Sequence, residues 1–163
     1  MHQLYVLYAS AMLNTAFRIV NSREDAEDIL QESFIKAFTR LSQFSYQSTF
    51  GAWIKRIVIN TSIDALKKRN SNTFPIEING YTKDVDAIAY QLGPLKSKQI
   101  DQLYKAIHDL PDGYRTVFSL YMLEGYDHQE IATILNIGVS SSISQLSRAK
   151  KKLRTLIDKK IAI

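Results

Sequence analysis

Apolar residues recur at steps of three and four over most of this chain, which is the spacing of one buried face on an α-helix. Two such stretches stand in the first part of the chain, Leu4–Val20 and Ala26–Leu41, and a third begins after Ser48 or Thr49. Asn21-Ser22 separates the first two, and its serine is a residue type that caps helices. The pattern therefore predicts three helices before residue 70.

The helical spacing is lost after Arg69 and resumes at Ile100. The intervening turn and loop signals are Pro75, Asn79-Gly80 and Gly93-Pro94. A segment of this length without helical spacing is longer than the loops inside compact domains. We therefore interpret residues 70–97 as a linker between two domains.

Beyond the linker the same spacing predicts four more helices. One spans Ile100–Leu110, a second opens at Pro111-Asp112, and the last two lie within Tyr126–Ile157. The predicted fold is all-α, with a three-helix domain over residues 1–69, the linker over residues 70–97 and a four-helix domain over residues 98–163.

The last two predicted helices have the pattern of a helix-turn-helix. Asp127 and Glu130 have the spacing of a capping box, which fixes the start of the first helix. Gly138 is expected to provide the backbone freedom for the reversal, and the second helix begins at about Ser140. The residues predicted to face inward from that helix are Ser142, Leu146, Ala149, Leu153 and Leu156. Those predicted to point elsewhere are Ser144, Gln145, Ser147, Arg148, Lys151 and Lys152.

Charge favours a nucleic-acid partner for this motif. The chain has a net charge of +5, and the part from Asn136 onward carries seven Lys or Arg against one acid. A basic helix by itself is more often a solvated surface. Because a capped helix and a glycine turn precede it here, we favour binding to DNA, with the second helix in the major groove.

Two polar surfaces in the first domain have more than one interpretation. The helix after Ser22 has an acidic side opposite its apolar stripe, which spacing alone assigns to solvent. The loop that follows carries Phe44 and Tyr46, which no helical period requires. These rings either pack on the domain or stack on an unpaired base, and the two readings are about even on the residues alone. Trp53 continues an inward stripe and is expected in the core.

The composition offers little to an enzyme. There is no cysteine, and the three histidines lie in different segments without metal-ligand spacing. We find no glycine-rich phosphate loop and no Ser-His-Asp set in a recognisable context, so no catalysis, metal or cofactor is expected. The sequence has no apolar run long enough to span a bilayer and no signal peptide, so we expect no membrane insertion and a cytoplasmic location.

Four segments in order carry a resemblance to a known family: Asp25–Phe38, Ser48–Arg69, Leu110–Leu135 and Ser144–Arg154. They resemble the extracytoplasmic-function sigma factors of RNA polymerase, the small type that keeps only the second and fourth conserved regions. The resemblance implies a promoter-specificity subunit that binds core polymerase at the β′ clamp helices and the β flap, acts on promoter DNA at the nucleoid, and often has an anti-sigma factor. The alternative is a stand-alone helix-turn-helix regulator, which would have no use for Asp25–Phe38.

The resemblance also implies roles for particular residues. The acidic side would bind core polymerase through Asp25, Asp28, Gln31 and Glu32. The −10 element would be met by Phe44 and Tyr46, in a loop that captures a flipped base, and by Lys55, Arg56, Asn60 and Asp64. The −35 element would be met by Ser141, Ile143, Ser144, Gln145, Ser147, Arg148 and Lys151, with Ser144, Ser147 and Arg148 reading bases and Gln145 and Lys151 near phosphates. The linker resembles a segment that threads toward the active-site cleft of polymerase.

Three features depart from the family pattern. Ile143 stands where relatives usually carry a basic residue. It cannot hold a phosphate or a guanine but could touch a thymine methyl, so either the recognised sequence differs or this contact is absent. Gly138-Val139 replaces a commoner Ser-Glu pair at the start of the second helix. The sequence also starts close to its first helix, which suggests that a first helical element is missing.

Overall fold

The computed structural model describes residues 2–69 and 97–161. Over these residues the chain is helical and contains no β-strand. It forms two compact units, one containing residues 2–69 and the other residues 97–161. None of the helices in these two ranges is both long enough and apolar enough to cross a membrane. The linker predicted over residues 70–97 lies, except for its last residue, outside the described residues.

The first unit consists of three helices, each packed against the other two. They are α1 (His2–Val20), α2 (Arg23–Thr39) and α3 (Phe50–Arg69). The chain turns between α1 and α2 at Asn21, which has a positive φ of 56°. Ser22 then caps α2, because its hydroxyl accepts a hydrogen bond from the backbone N–H of Asp25 at 3.2 Å. The predicted three-helix arrangement and the predicted cap are both confirmed.

The second unit is built around its last helix. Its helices are α4 (Ser97–His108), α5 (Asp112–Phe118), α6 (His128–Leu135) and α7 (Val139–Ile161), and α5 continues into one π-helical turn, Ser119–Leu123. The first three helices all pack against α7. Apolar side chains from every helix, among them Ile107, Val117, Ile131 and Leu146, fill the core between them. The four helices predicted from the apolar spacing are confirmed.

A buried arginine that was not predicted ties the start of α5 to the segment that follows α4. Arg115 is only 1% exposed, yet its guanidinium donates to the carbonyl oxygen of Leu110 at 2.8 Å and pairs with the Asp112 carboxylate at 2.5 Å. A buried charge is tolerated when it is paired and hydrogen-bonded in this way. The contact fixes the corner from which α5 starts.

The turn between α6 and α7 differs from the prediction in one respect. The capping box is present, with both Asp127–Glu130 hydrogen bonds formed. The residue that adopts the left-handed conformation is Asn136, at φ 56° and ψ 52°, while Gly138 has no positive φ. The expectation that Gly138 supplies the reversal is therefore wrong. Asparagine tolerates this conformation better than most residues, so it ends α6 in place of glycine.

Candidate nucleic-acid and partner interfaces

The last helix presents one face to the core and leaves the other accessible. The predicted inward residues Ser142, Leu146, Ala149 and Leu153 are buried, and Leu156 is half-buried. Six of the seven residues expected to face the −35 element retain accessible surface. Ile143 and Lys151 are exposed, and Ser141, Ser144, Ser147 and Arg148 are half-buried.

Gln145 is the exception, and the prediction that it points away from the core is wrong. Its side chain is 5% exposed, and the side-chain oxygen Oε1 is buried. The reason is helical geometry: with 3.6 residues per turn, position 145 lies only about 60° around the helix from Ser142. The buried face is wide enough to include it. In this conformation Gln145 has almost no surface to offer a phosphate.

The rest of α7 carries the positive charge. Lys151, Lys152 and Arg154 are exposed, and Lys150 is half-buried. These side chains follow the candidate base-reading residues along the same helix. A row of cations beside residues able to hydrogen-bond is the combination that phosphate contact and base readout require.

A histidine links the start of α7 to the two elements before it. The ring nitrogen Nδ1 of His128, at the first position of α6, forms a hydrogen bond of 2.8 Å with the hydroxyl of Ser142. The same ring stacks on Tyr121, with centroids 4.6 Å apart and planes 26° from parallel. Burial lowers the pKa of His128 below 6.5; Asp127 opposes the shift and Lys150 adds to it. In the sequence His128 is one of three histidines outside any metal-ligand spacing, and its two partners are seven and fourteen positions away.

The two aromatic residues of the loop before α3 behave differently. Phe44 is half-buried and packs against Trp53, with ring centroids 5.2 Å apart, and against Phe50 at 6.2 Å. Tyr46 touches Phe44 at 4.8 Å but is 86% exposed, and its φ is 56°. Phe44 therefore anchors the loop, while Tyr46 is held out toward solvent. Trp53 is half-buried in this aromatic cluster and not in the deep core, where it was expected.

A polar stripe on α3 starts beside the aromatic cluster. Arg56, Asn60 and Asp64 are all exposed and stand four residues apart, so they lie on one side of the helix. Lys55, next to them, is half-buried. The four α3 residues among the six expected at the −10 element are thus accessible on a single helix.

The acidic side of α2 is accessible, but part of its charge is already paired. Asp28, Gln31 and Glu32 are exposed. Glu32 makes an ion pair of 2.7 Å with Lys36 on the same helix. Asp25 is half-buried and is bound by Arg69 at 3.2 Å.

Arg69 makes a second contact that explains its place at the end of α3. The same guanidinium nitrogen donates to the backbone carbonyl of Val20, the last residue of α1, at 3.0 Å. This contact ties the three helices together beneath the acidic side. Within residues 2–69 and 97–161 no group of three His, Asp or Glu side chains is arranged to hold a metal ion.

Two family models match the chain, one on each unit. The description "Sigma-70 region 2" matches residues 4–72, and "Sigma-70, region 4" matches residues 100–153. Among curated proteins, the ECF RNA polymerase sigma-E factor of Haemophilus influenzae is 31% identical over 146 residues, which cover 83% of this chain and 76% of that protein. The ECF RNA polymerase sigma factor SigW of Bacillus subtilis is 28% identical over 156 residues, covering 91% and 83%.

Two solved structures share the fold. One is the sigma factor RpoE in complex with the anti-sigma factor NepR from Bartonella quintana, with a TM-score of 0.63, 22% identity and 96% of both chains covered. The other is CnrH in complex with the cytosolic domain of CnrY, with a TM-score of 0.56, 21% identity and coverage of 97% of this chain and 87% of that one.

Proposed function

Because the chain belongs to the extracytoplasmic-function group of the sigma-70 family, we propose that its two helical units divide promoter recognition between them. The protein is a promoter-specificity sigma factor that binds core RNA polymerase and directs transcription initiation, and it is not an enzyme. In our proposal residues 1–69 bind core polymerase and the −10 element, and residues 98–163 bind the −35 element.

The accessible face of α7 supports the assignment to the −35 element. Arg148 can donate two hydrogen bonds to a guanine, and Ser144 and Ser147 can bond to base edges of either kind. Ile143 is 38% exposed on the same face and can pack on a thymine methyl. Ser141 stands in the first turn, and Lys151 reaches phosphates further along the helix. Burial of Gln145 removes it from the phosphate contact first expected of it.

Exposure of Tyr46 is the single observation that carries the −10 assignment. Tyr46 is 86% exposed, and its loop is anchored through Phe44. Its ring is therefore accessible for stacking on an extruded base. We assign Lys55, Arg56, Asn60 and Asp64, which lie along α3, to contacts with the backbone and bases beside that base. In this assignment Phe44 supports the loop rather than contacting the base.

We assign core-polymerase binding in the first unit to the acidic side of α2. Asp28, Gln31 and Glu32 are exposed and can face the β′ clamp helices, with Asp25 at the edge of the contact. In the second unit, Met122 and Leu123 are exposed apolar residues on the π-helical turn. Because exposed apolar neighbours favour a protein contact, we assign this turn to the β flap.

Two further features of the biology are proposed from the relatives. One solved neighbour is in complex with the anti-sigma factor NepR and the other with the cytosolic domain of CnrY. We propose that this chain is also held by an anti-sigma factor until a signal releases it. The protein would act in the cytoplasm, at the nucleoid, where core polymerase and promoters are found.

The proposal is tested by reconstitution with core polymerase. We expect the chain to co-purify with core enzyme and to direct run-off transcription from a subset of genomic fragments. A chain that fails to associate with core enzyme but binds a symmetric duplex tightly by itself would instead be a stand-alone helix-turn-helix regulator. The four sigma-like segments and the acidic side of α2 argue against that alternative.

A further inference from the structure

We infer that His128 is a positioning residue for −35 recognition, because its hydrogen bond to Ser142 sets the orientation of the first turn of α7 while its ring packs on Tyr121. The inference rests on the proposed role of α7 at the −35 element. It concerns a residue that faces neither base nor phosphate in our assignment and acts through another side chain.

The three residues belong to three consecutive elements of the second unit. Tyr121 lies in the π-helical turn after α5, His128 is the first residue of α6, and Ser142 lies in the first turn of α7. The imidazole of His128, on α6, therefore stacks on the π-helical turn and is hydrogen-bonded to α7. A change in the direction of α7 relative to α6 would break the 2.8 Å contact.

Ser142 is the inward anchor of the residues that would read DNA. It is 0% exposed and is flanked by Ser141 and Ile143, both assigned to the DNA-facing surface. Its hydroxyl bonds to His128. A buried hydroxyl that loses its partner costs free energy, so this bond favours one rotation of the helix over its neighbours. Base readout depends on such placement, since a recognition site tolerates errors of only about 0.5 Å.

The short connection between α6 and α7 is one constraint on the start of α7, and the hydrogen bond from His128 to Ser142 is a second. Only Asn136–Gly138 separate the two helices, and the left-handed Asn136 sets the turn from the C-terminal end of α6. His128 acts from the opposite end of α6. The start of α7 is therefore fixed by contacts at both ends of α6, and these contacts restrict the direction and the rotation of α7.

Three substitutions separate the contacts that this residue makes. His128→Phe keeps a ring to stack on Tyr121 but leaves the Ser142 hydroxyl without its bond. His128→Asn loses the ring but keeps a hydrogen-bonding atom at the position of Nδ1. Ser142→Ala removes the hydroxyl itself. Combining His128→Phe with Ser142→Ala removes both partners together, which costs less than leaving one of them buried and unpaired.

The experiment uses the full chain bound to core polymerase and a duplex library randomised over the upstream promoter element. For each variant, the affinity for the sequence selected by wild type is divided by the affinity for a scrambled duplex. We expect His128→Phe and Ser142→Ala each to lower this ratio about tenfold, which corresponds to about 1.4 kcal/mol. The double variant should be no worse than either single one, and His128→Asn should stay within about threefold of wild type. Circular dichroism melting confirms that each variant is folded under the binding conditions.

The possible outcomes are distinct. Unchanged ratios in folded His128→Phe and Ser142→Ala would overturn the inference, as would an equal loss of affinity on both duplexes or a loss in His128→Asn as large as in His128→Phe. If wild type binds core polymerase but selects no upstream sequence, or does not bind core at all, the proposed function itself fails and the inference falls with it.

Discussion

The contrast between Phe44 and Tyr46 gives the sharpest prediction about promoter opening. The two rings touch each other, yet one is packed on the aromatic cluster of α3 and the other is 86% exposed. Alanine at each position should therefore affect different properties of the protein. Tyr46→Ala should impair promoter melting without affecting stability, and Phe44→Ala should affect both.

The magnitudes follow from these surroundings. Surface substitutions like Tyr46→Ala change the free energy of unfolding by no more than about 0.5 kcal/mol. Loss of stacking on one base costs about 1–3 kcal/mol, which is about a 5-fold to 150-fold loss in open-complex formation. Phe44 contributes ring contacts to both Phe50 and Trp53. Its removal should lower the free energy of unfolding of the first unit by about 1–3 kcal/mol.

Permanganate reactivity of unpaired thymines in the −10 region measures melting directly. The assay uses holoenzyme assembled from each variant, on a promoter that wild type transcribes, and thermal unfolding is recorded in parallel. Tyr46→Phe is the matched control, because it keeps the stacking ring and should melt the promoter like wild type. If Tyr46→Ala melts DNA as well as wild type while bound normally to core polymerase, the stacking assignment is refuted.

Three further predictions concern the remaining surfaces. Asp28→Lys should weaken binding to core polymerase at least about tenfold, because it reverses a charge in the proposed contact. Asp101→Lys makes the same change on α4 and should leave the affinity unchanged. Equal affinities of the two variants in a pull-down titration would contradict the assignment. Arg148→Ala should cost about 1–3 kcal/mol at one promoter position in a binding assay with single base-pair changes, and a uniform loss on all sequences would make it a phosphate contact. The pKa of His128 is lowered in the folded chain, so the unfolded chain takes up this proton first as the pH falls. The contribution of His128 to the free energy of unfolding should therefore decrease below about pH 6.5 and stay constant above it. Hydrogen exchange of α7 amides should reveal the loss in wild type and a smaller one in His128→Asn.

Local signals in the sequence were sufficient to predict the helices and their starts. Apolar spacing locates seven helices, because each must bury one face, and Ser22 and Asp127 identify two starts by hydrogen bonds that span only three residues. The accessible residues on α7, apart from Gln145, follow from the same helical period. Such features depend on neighbours along the chain, so a sequence without a structure is enough to predict them.

Apolar spacing and capping patterns could not predict the contacts between elements. The bond between His128 and Ser142 joins residues fourteen positions apart, and Arg69 reaches Asp25 across forty-four positions. Burial of Gln145 depends on how much of the α7 surface the other helices cover. The spacing of apolar residues does not give that width. Asn136 and not Gly138 adopts the left-handed conformation, because the reversal falls directly at the end of α6 and asparagine tolerates this conformation. For Gln145, packing of several helices decided between choices that the local sequence left open.

Ion pairs within the first unit also divide the acidic side of α2 into residues that support the fold and residues left for a partner. Asp25 is bound by Arg69 and Glu32 by Lys36, so substituting either one disturbs an ion pair within the first unit as well as the surface. Asp28 is exposed and forms no ion pair with a described residue. Its charge serves no internal contact, so its reversal leaves folding almost unchanged and reports on the partner alone. For this reason the Asp28→Lys variant, and not a change at the paired acids beside it, is the clearest test of the proposal that this surface binds core polymerase.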